Sequence, residues 1–501
     1  MPLFKGLLTA SLIAASLGSW SNPRMDYDLD DDGLIEINDL ADLDDIRNNI
    51  SSEKPSEILG HTLYESSDGC PESGCYGYEL TTDLNLDSNG NDAFDDGDLF
   101  WNDGLGWNPI GSFSVKFNAE FNGNGFAISN LVMRRPGEAF SGFIAYSEYG
   151  YIHDFSISAH MITGAESGGV LAYGWNTRLE RIYADIVIAG EATTEPCSSK
   201  CVPERVGGIV GGADESTFKQ LVIKAHVTGL DRLGGLGGVI NDSEINEVAL
   251  QITLEGNDLL GGLVGSINSN NIDSIVVFAD IEGDANVAGL IGGTSGGSGS
   301  TINNILVSGS VTPGVNLDQY ARGGALIGSA ITADLISHVI SLVRLPEDIN
   351  EAHLIGALIG KAERPSFSDV YWANDLAFRS RAYNGPDFRN PEQSWDLIDL
   401  QCASDSNNCN GLLLTTFPDE LNSLGNSIWD FELDTEAPSM VLPMGKFSDA
   451  DGNGLVDNWP DKIAPASFHA TPASSSSGGT IQYWLFLMLI SVVFRRHTSN
   501  K

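Results

Sequence analysis

The stretch GGLVGSINSNNIDSIVVFADIEG (Gly261–Gly283) sets three glycines around two aliphatic residues and then alternates apolar with polar positions. Its variants are SGFIAY at Ser141, GGVLAY at Gly168, GGIVGG at Gly207, GGLGGV at Gly234 and AGLIGG at Ala288, with looser GALIG copies at Gly324 and Gly356. Gly207, Gly234, Gly261 and Ala288 follow at intervals of 27 residues, as does Gly168 after Ser141. The 39-residue gap from Gly168 to Gly207 is 27 plus a surplus of 12, which fits an inserted loop holding Cys197 and Cys201; the later intervals are 36 and 32.

A second pattern is phased to the first. Val248, Leu250, Ile252 and Leu254 alternate with the polar Gln251, Thr253 and Glu255, and the same phase gives Leu221, Ile223, Ala225, Val227 before and Ile275, Val277, Ala279, Ile281 after. Period two predicts strands with one face buried. A unit of 27 residues is too short for a four-stranded propeller blade of about 40 residues. It suits one coil of a stack in which each strand pairs with its equivalent one coil on, about 4.8 Å away. One unit cannot bury its own face, so the chain must repeat it. The glycines are expected at tight corners, where a β-carbon would strike the next coil or φ is positive. The fold class expected is all-β: a β-solenoid, parallel β-helix-like, of about eight coils, with a small N-terminal α+β cap and a C-terminal cap.

Composition limits the partners. The 26 basic residues stand against 68 acidic ones, a formal charge of −42, so nucleic acid and anionic lipid surfaces are repelled. The N-terminus, MPLFKGLLTASLIAASLGSW, has Lys5, an apolar run from Leu7 to Leu17 and small residues near Gly18, the pattern of a cleaved secretory signal. At the other end a serine-rich spacer leads to Gly478-Gly479, an apolar stretch Ile481–Phe494 and Arg495-Arg496. That apolar stretch is short for a hydrocarbon core needing about 20 residues, and its arginines hold the end cytoplasmic. Six cysteines fall in local pairs, Cys70/Cys75, Cys197/Cys201 and Cys402/Cys409, with no histidine near them; in an exported chain that reads as disulfide staples. The organisation expected is a signal at 1–18, a calcium-loop and capping module at 26–140, repeats at 141–361, a C-terminal cap at 362–445, a calcium-loop stem at 446–477 and a sorting tail at 478–501.

The glycine cores, followed by an alternating strand that ends in glycine, resemble the GLUG repeats of bacterial surface proteins. The lead-in WNDGLGWNPIGSFSVKFNAEFNGNGFAISNLVM (Trp101–Met133) and the exit SFSDVYW (Ser366–Trp372) resemble that family too. The resemblance implies an adhesin-like surface protein. Such repeats also accompany immunoglobulin-A-cleaving zinc peptidases, but their HExxH is missing from this sequence and that activity is not implied. The tail resembles the glycine-glycine C-terminal tails cut by rhomboid-type sorting proteases in Gram-negative bacteria. This implies display on, or release from, the cell surface after transient insertion of Ile481–Phe494 in the inner membrane.

Two loops have the spacing of calcium sites. In DYDLDDDGLIEINDL, Asp28, Asp30 and Asp32 take loop positions one, three and five, Gly33 the sharp turn, Glu36 position nine and Asp39 position twelve. Asp39 departs from the usual glutamate and is alternatively a helix cap for Leu40, Leu43, Ile46 and Ile50. In SDADGNGLVDNWPD, Asp449, Asp451, Asn453 and Asp457 resemble a calcium repeat of thrombospondin type three. A third acidic, turn-rich stretch runs from Asp83 to Asp98 with spacing read as irregular. No catalytic constellation emerges: the histidines are scattered, and Glu255, Asp280 and Glu282 form an outward acidic group that reads first as a solvated face. The function expected is binding of an extracellular glycan or a matrix or host surface protein, with calcium as cofactor. The alternative is a secreted carbohydrate-active enzyme on that acidic flank.

Overall fold

Strand follows strand wherever the alternation recurs. The computed structural model describes residues 27–50, 69–191, 202–296, 299–314, 321–331, 334–347, 354–362, 365–377, 428–430 and 439–449, with Tyr383, Asn384, Ser394, Trp395, Val456 and Trp459. The strands Arg178–Gly190, Thr217–Thr228, Glu244–Gly261, Asn271–Ala288 and Thr301–Pro313 lie side by side in one curled, parallel sheet. Leu250 sits between Ile223 and Val277, its equivalents 27 residues away on either side. Short strands such as Val210–Asp214, Gly237–Asn241 and Val264–Asn268 form a second parallel sheet, nine-stranded among the described residues. The inward positions of both join one apolar core that runs from Ile35 to Tyr383.

The corners are made by non-glycine residues, mostly polar, in the left-handed region more than by glycine. Glu215, Asp242 and Ser269 have φ of 51°, 48° and 54°; Gln220, Glu247 and Ser274 have 55°, 56° and 59°; Arg232, Leu259 and Asn286 have 54°, 57° and 50°. Each trio is spaced by 27, so three successive units bend at the same three places. The motif glycines are needed for close approach instead. A β-carbon on Gly262 would lie 1.9 Å from the Gly289 carbonyl oxygen, and one on Gly261 2.4 Å from the Gly292 amide nitrogen. Of the two reasons expected for those glycines, contact with the next unit is the one that applies at these positions.

A buried polar ladder crosses the core boundary. The amide of Thr177 donates to Ser216 Oγ (3.1 Å), that of Ser216 to Ser243 Oγ (2.9 Å), that of Ser243 to Asn270 Oδ1 (2.9 Å), that of Asn270 to Ser300 Oγ (3.1 Å) and that of Ser300 to Asp334 Oδ1 (2.9 Å). All six residues are buried, and corner amides without a sheet partner are satisfied this way.

Both ends differ from the expected boundaries. Leu34–Ile37, Gly77–Leu80 and Glu120–Asn122 are already parallel rungs leading to Tyr151–Thr163, so stacking begins well before Ser141. The helix Leu40–Asn49 buries Leu43 and Ile46, and a Cys70–Cys75 disulfide closes the turn before Gly77. The other two cysteine pairs, the inserted loop, the signal and the sorting tail lie outside the described residues. Near the C-terminus, Ser366–Ala373 continues the stack. The antiparallel strands Trp429–Asp430, Ser439–Leu442 and Gly445–Phe447 do not; they pack Trp429, Met440, Leu442 and Phe447 on the outer face of the large sheet, against Val276, Phe278, Leu306 and Leu342.

Candidate metal centre and the polar column it begins

The loop before Leu34 is wound on its own carboxylates. Asp28, almost wholly buried, accepts from the amides of Asp32 (Oδ1, 3.1 Å) and Gly33 (Oδ2, 2.8 Å), and Asp32 Oδ1 accepts from Leu34 (2.8 Å). Gly33 has φ +94°, and a β-carbon there would sit 2.4 Å from the Tyr76 ring, so glycine is required at the turn. Glu36, buried, accepts from Leu29 N through Oε1 (2.6 Å).

Two overlapping carboxylate groups result: Asp28, Asp30 and Glu36, and Asp30, Asp32 and Glu79, each with oxygens within 4.8 Å of one another. Glu79 stands far from the loop in sequence. It arrives because Gly77–Leu80 pairs with Leu34–Ile37 in a register that sets Glu79 beside Glu36. Its one sequence signal is a carboxylate in the otherwise uncharged strand GYEL. Burial, then the charges of Asp32, Asp30 and Glu36, push its carboxyl up to about 7 against a lowering hydrogen bond from Asn124. Asp32 is also raised, first by burial and then, against the Leu34 amide bond, by Asp30, Asp28 and Glu120. An all-oxygen set that resists ionisation is the chemistry a hard cation relieves.

Asp39 is placed elsewhere. It is the N-cap of the helix, its Oδ1 accepting from Ala41 (2.8 Å) and Asp42 (3.0 Å), while Asp42 reaches back to Asn38 N (3.0 Å). The capping alternative describes it, and it is in neither convergent group. Of the four ligands expected in the C-terminal loop, only Asp449 falls among the described residues. It is buried on the outer sheet face and accepts from the Ser308 hydroxyl. Asp451, Asn453 and Asp457 lie outside the described residues.

The third stretch proves ordered. Asp87, Asn89, Asn91, Asp95 and Asp98 stand at positions one, three, five, nine and twelve of a loop, the spacing of a twelve-residue calcium loop. Asp87 accepts from the amides of Gly90, Asn91 and Asp92; the side-chain amides of Asn89 and Asn91 donate to Asp95; and Asp98 accepts from the amides of Ser88 and Asp95. This loop overhangs the sheet and closes a cleft of about 560 Å³ against His160, Ile162, Asp185 and Val187.

Glu36 and Glu79 open a column that the register carries on through Asn122, His153, Glu180 and Lys219. His153, buried, meets Glu120 (2.9 Å) and Asp154 (2.5 Å). Arg181 joins Asp154 (2.6 Å) to Glu180 (2.9 Å), and Tyr151 donates to Glu180 (3.0 Å). Burial opposes the charge on His153, but the bonds to Asp154 and Glu120 outweigh it and raise its pKa. Farther along, His160 and His226 flank Val187 on one outward column, two rungs apart. Glu255 and Glu282 are exposed neighbours, and Asp280, also exposed, accepts from the Ser310 hydroxyl.

No family model matches the chain. A 135-residue stretch, 27% of the chain, is 30% identical to halomucin from Haloquadratum walsbyi, of which it spans 1%. A Bacteroides ovatus crystal structure carrying the provisional description of an immunoglobulin A1 protease is similar over 79% of this chain and 89% of its own, at 11% identity and a TM-score of 0.33.

Proposed function

We propose that the chain is an exported β-solenoid displayed at a Gram-negative cell surface, where it binds an extracellular glycan or a matrix or host surface protein. In this reading calcium is held by Asp28, Asp30, Asp32, Glu36 and Glu79 and stiffens the first rungs. The observation that carries it is the register. Outward residues at one position of successive units line up, as in His160, Val187, His226, Thr253 and Asp280, so the flank offers a repeating ligand a repeating surface. The GLUG-like motifs and the glycine-glycine tail support export and display, and the acidic surface suits a medium rich in cations.

The test is an array of glycans and matrix proteins exposed to the secreted protein with calcium present, read for retention and for released product. Retention without product is expected. Released sugar would favour a carbohydrate-active enzyme on the acidic flank, and no retention on any feature would end the binding reading.

A further inference from the structure

One part of the short-strand sheet departs from the repeat. Its outward column reads Tyr146, Tyr173, Gly212, Val239, Ser266, so two aromatic rungs are followed by small ones. Tyr146 and Tyr173 stack at 5.0 Å, and Trp175, two residues on and on the same face, meets Tyr149 at 5.6 Å. Phe113 and Phe140 close the cluster, Phe113 edge-on to Tyr146 at 5.7 Å. Among the described residues Phe113 is the one aromatic side chain in the exposed class of large apolar residues, at 66%. Its backbone is hydrogen-bonded in place: it sits at the tip of a turn in which Ser112 N donates to Val115 O (2.6 Å) and Ser112 Oγ accepts from Ser114 (3.3 Å) and Val115 (3.1 Å). At the far edge Gly212 leaves a step, since a β-carbon there would lie 3.0 Å from Tyr173 and 2.5 Å from Glu166.

Two of the three carboxylates around these rings are ion-paired and the third is hydrogen-bonded. Lys116 binds Glu148 and lies over the Tyr146 ring at 5.3 Å, and Arg205 binds Glu166 at 2.9 Å. Asp214 accepts from the Tyr173 hydroxyl and from the Asn241 amide (2.8 Å). On a molecule of formal charge −42 this is a nearly neutral aromatic island with a hydrogen-bonding rim. A polyanion is repelled by the whole surface, and a strong cation finds these carboxylates already engaged. What fits is an uncharged ligand with apolar faces and hydroxyl edges, a pyranose ring, which stacks its C–H face on an aromatic ring and bonds its hydroxyls to carboxylates and amides. Rigid, partly exposed aromatic side chains are also the groups that anchor binding most efficiently.

We propose that Phe113, Tyr173 and Trp175, with Asp214 and Glu148 at the rim, form a platform for a neutral polysaccharide. This rests on the binding function proposed above and assigns it to one face of the first repeats.

The test uses the full secreted chain on insoluble cellulose, chitin and xylan and on a printed array of neutral glycans. Phe113→Ala and Trp175→Ala are compared with Glu72→Gln, an exposed residue in the turn closed by the Cys70–Cys75 disulfide. The expected result is at least a tenfold loss of glycan retention for both aromatic variants, an unchanged Glu72→Gln, and one melting temperature for all four proteins, because these side chains are exposed or part-exposed. Wild-type retention that survives both aromatic substitutions overturns the platform while leaving the binding function standing. Retention of proteins or cationic ligands alone overturns the glycan assignment, and a wild-type chain retained by nothing sinks both.

Discussion

Replacing Glu79 with glutamine separates the two things its carboxylate does. Its folded pKa of about 7 stands above the ordinary 4.5. At about 1.36 kcal/mol per unit the difference corresponds to roughly 3 kcal/mol. The exposed Asp30 and Asp32 contribute to it through solvent, so about 2 kcal/mol is the working figure. The sign follows from linkage: a carboxyl raised on folding stabilises fully below its unfolded pKa, and that stability is lost as pH rises through the folded value. Metal-free protein therefore loses stability in its first rungs between about pH 4.5 and 7. In the calcium reading the order reverses, because a cation among Asp30, Asp32 and Glu79 would favour the ionised form.

Glu79→Gln keeps an oxygen for the Asn124 amide and removes the charge. At pH 8 without calcium, strands Leu34–Ile37 and Gly77–Leu80 of the variant should exchange their amides about 30-fold more slowly than wild type, the equivalent of 2 kcal/mol. With calcium the ranking should invert, since the variant has lost a ligand. Amide exchange read by mass spectrometry, corrected for intrinsic rates at each pH, measures both. Equal exchange of the two proteins at pH 8, together with equal protection of both by calcium, would refute the reasoning.

Four further substitutions probe the stack. Gly262→Ala drives a β-carbon to 1.9 Å from the Gly289 oxygen and should cost about 3 kcal/mol or more, whereas Gly137→Ala, with nothing within 4 Å, should leave the thermal melt unchanged. Ser243→Ala strips the Ser216 amide of its acceptor inside the polar ladder, an expected loss of about 1–3 kcal/mol by denaturant titration. His153→Gln should cost more at pH 6 than at pH 9. The raised pKa of His153 makes its ion pairs fully stabilising below the unfolded value and progressively lost as pH climbs through the folded one. A melting difference independent of pH would show that the imidazolium is not what Asp154 and Glu120 hold.

The inward face of the stack was legible because period two and period 27 are local signals. Phe155, Ile157, Ala159 and Met161, and their equivalents down to Ile281, are all buried as the alternation requires. The outer face was legible only in hindsight. Val276 and Phe278 break the alternation in IVVFADI, and the reason is a remote segment, Trp429 to Phe447, that covers them. Glu79 was hidden for the same physical cause. Parallel pairing joins residues a whole unit apart, so a ligand set that looks complete within DYDLDDDGLIEINDL takes its next carboxylate from the following rung. The loop Asp87–Asp98 differs in kind, since its twelve-residue spacing is local in the sequence and is obscured by extra aspartates at positions six and ten.

Repetition itself bears on where specificity lies. A residue that recurs at 27-residue spacing is explained by the stack, as the buried apolar columns and the close-packed glycines are. A residue that breaks its column needs another cause. Three such breaks fall on the first units: the carboxylates of Glu36 and Glu79, the ion network from His153 to Glu180, and the aromatic rungs Tyr146 and Tyr173. The first two are largely buried, and the second is bound up in ion pairs, which suits holding the first units rigid. The third presents Phe113 to solvent on a fixed frame. Rigidity supplied by the first two lowers the ordering cost of binding at the third. Removing calcium should therefore weaken glycan retention by the Phe113 face without any ligand touching the metal loop, and retention indifferent to chelation would separate the two.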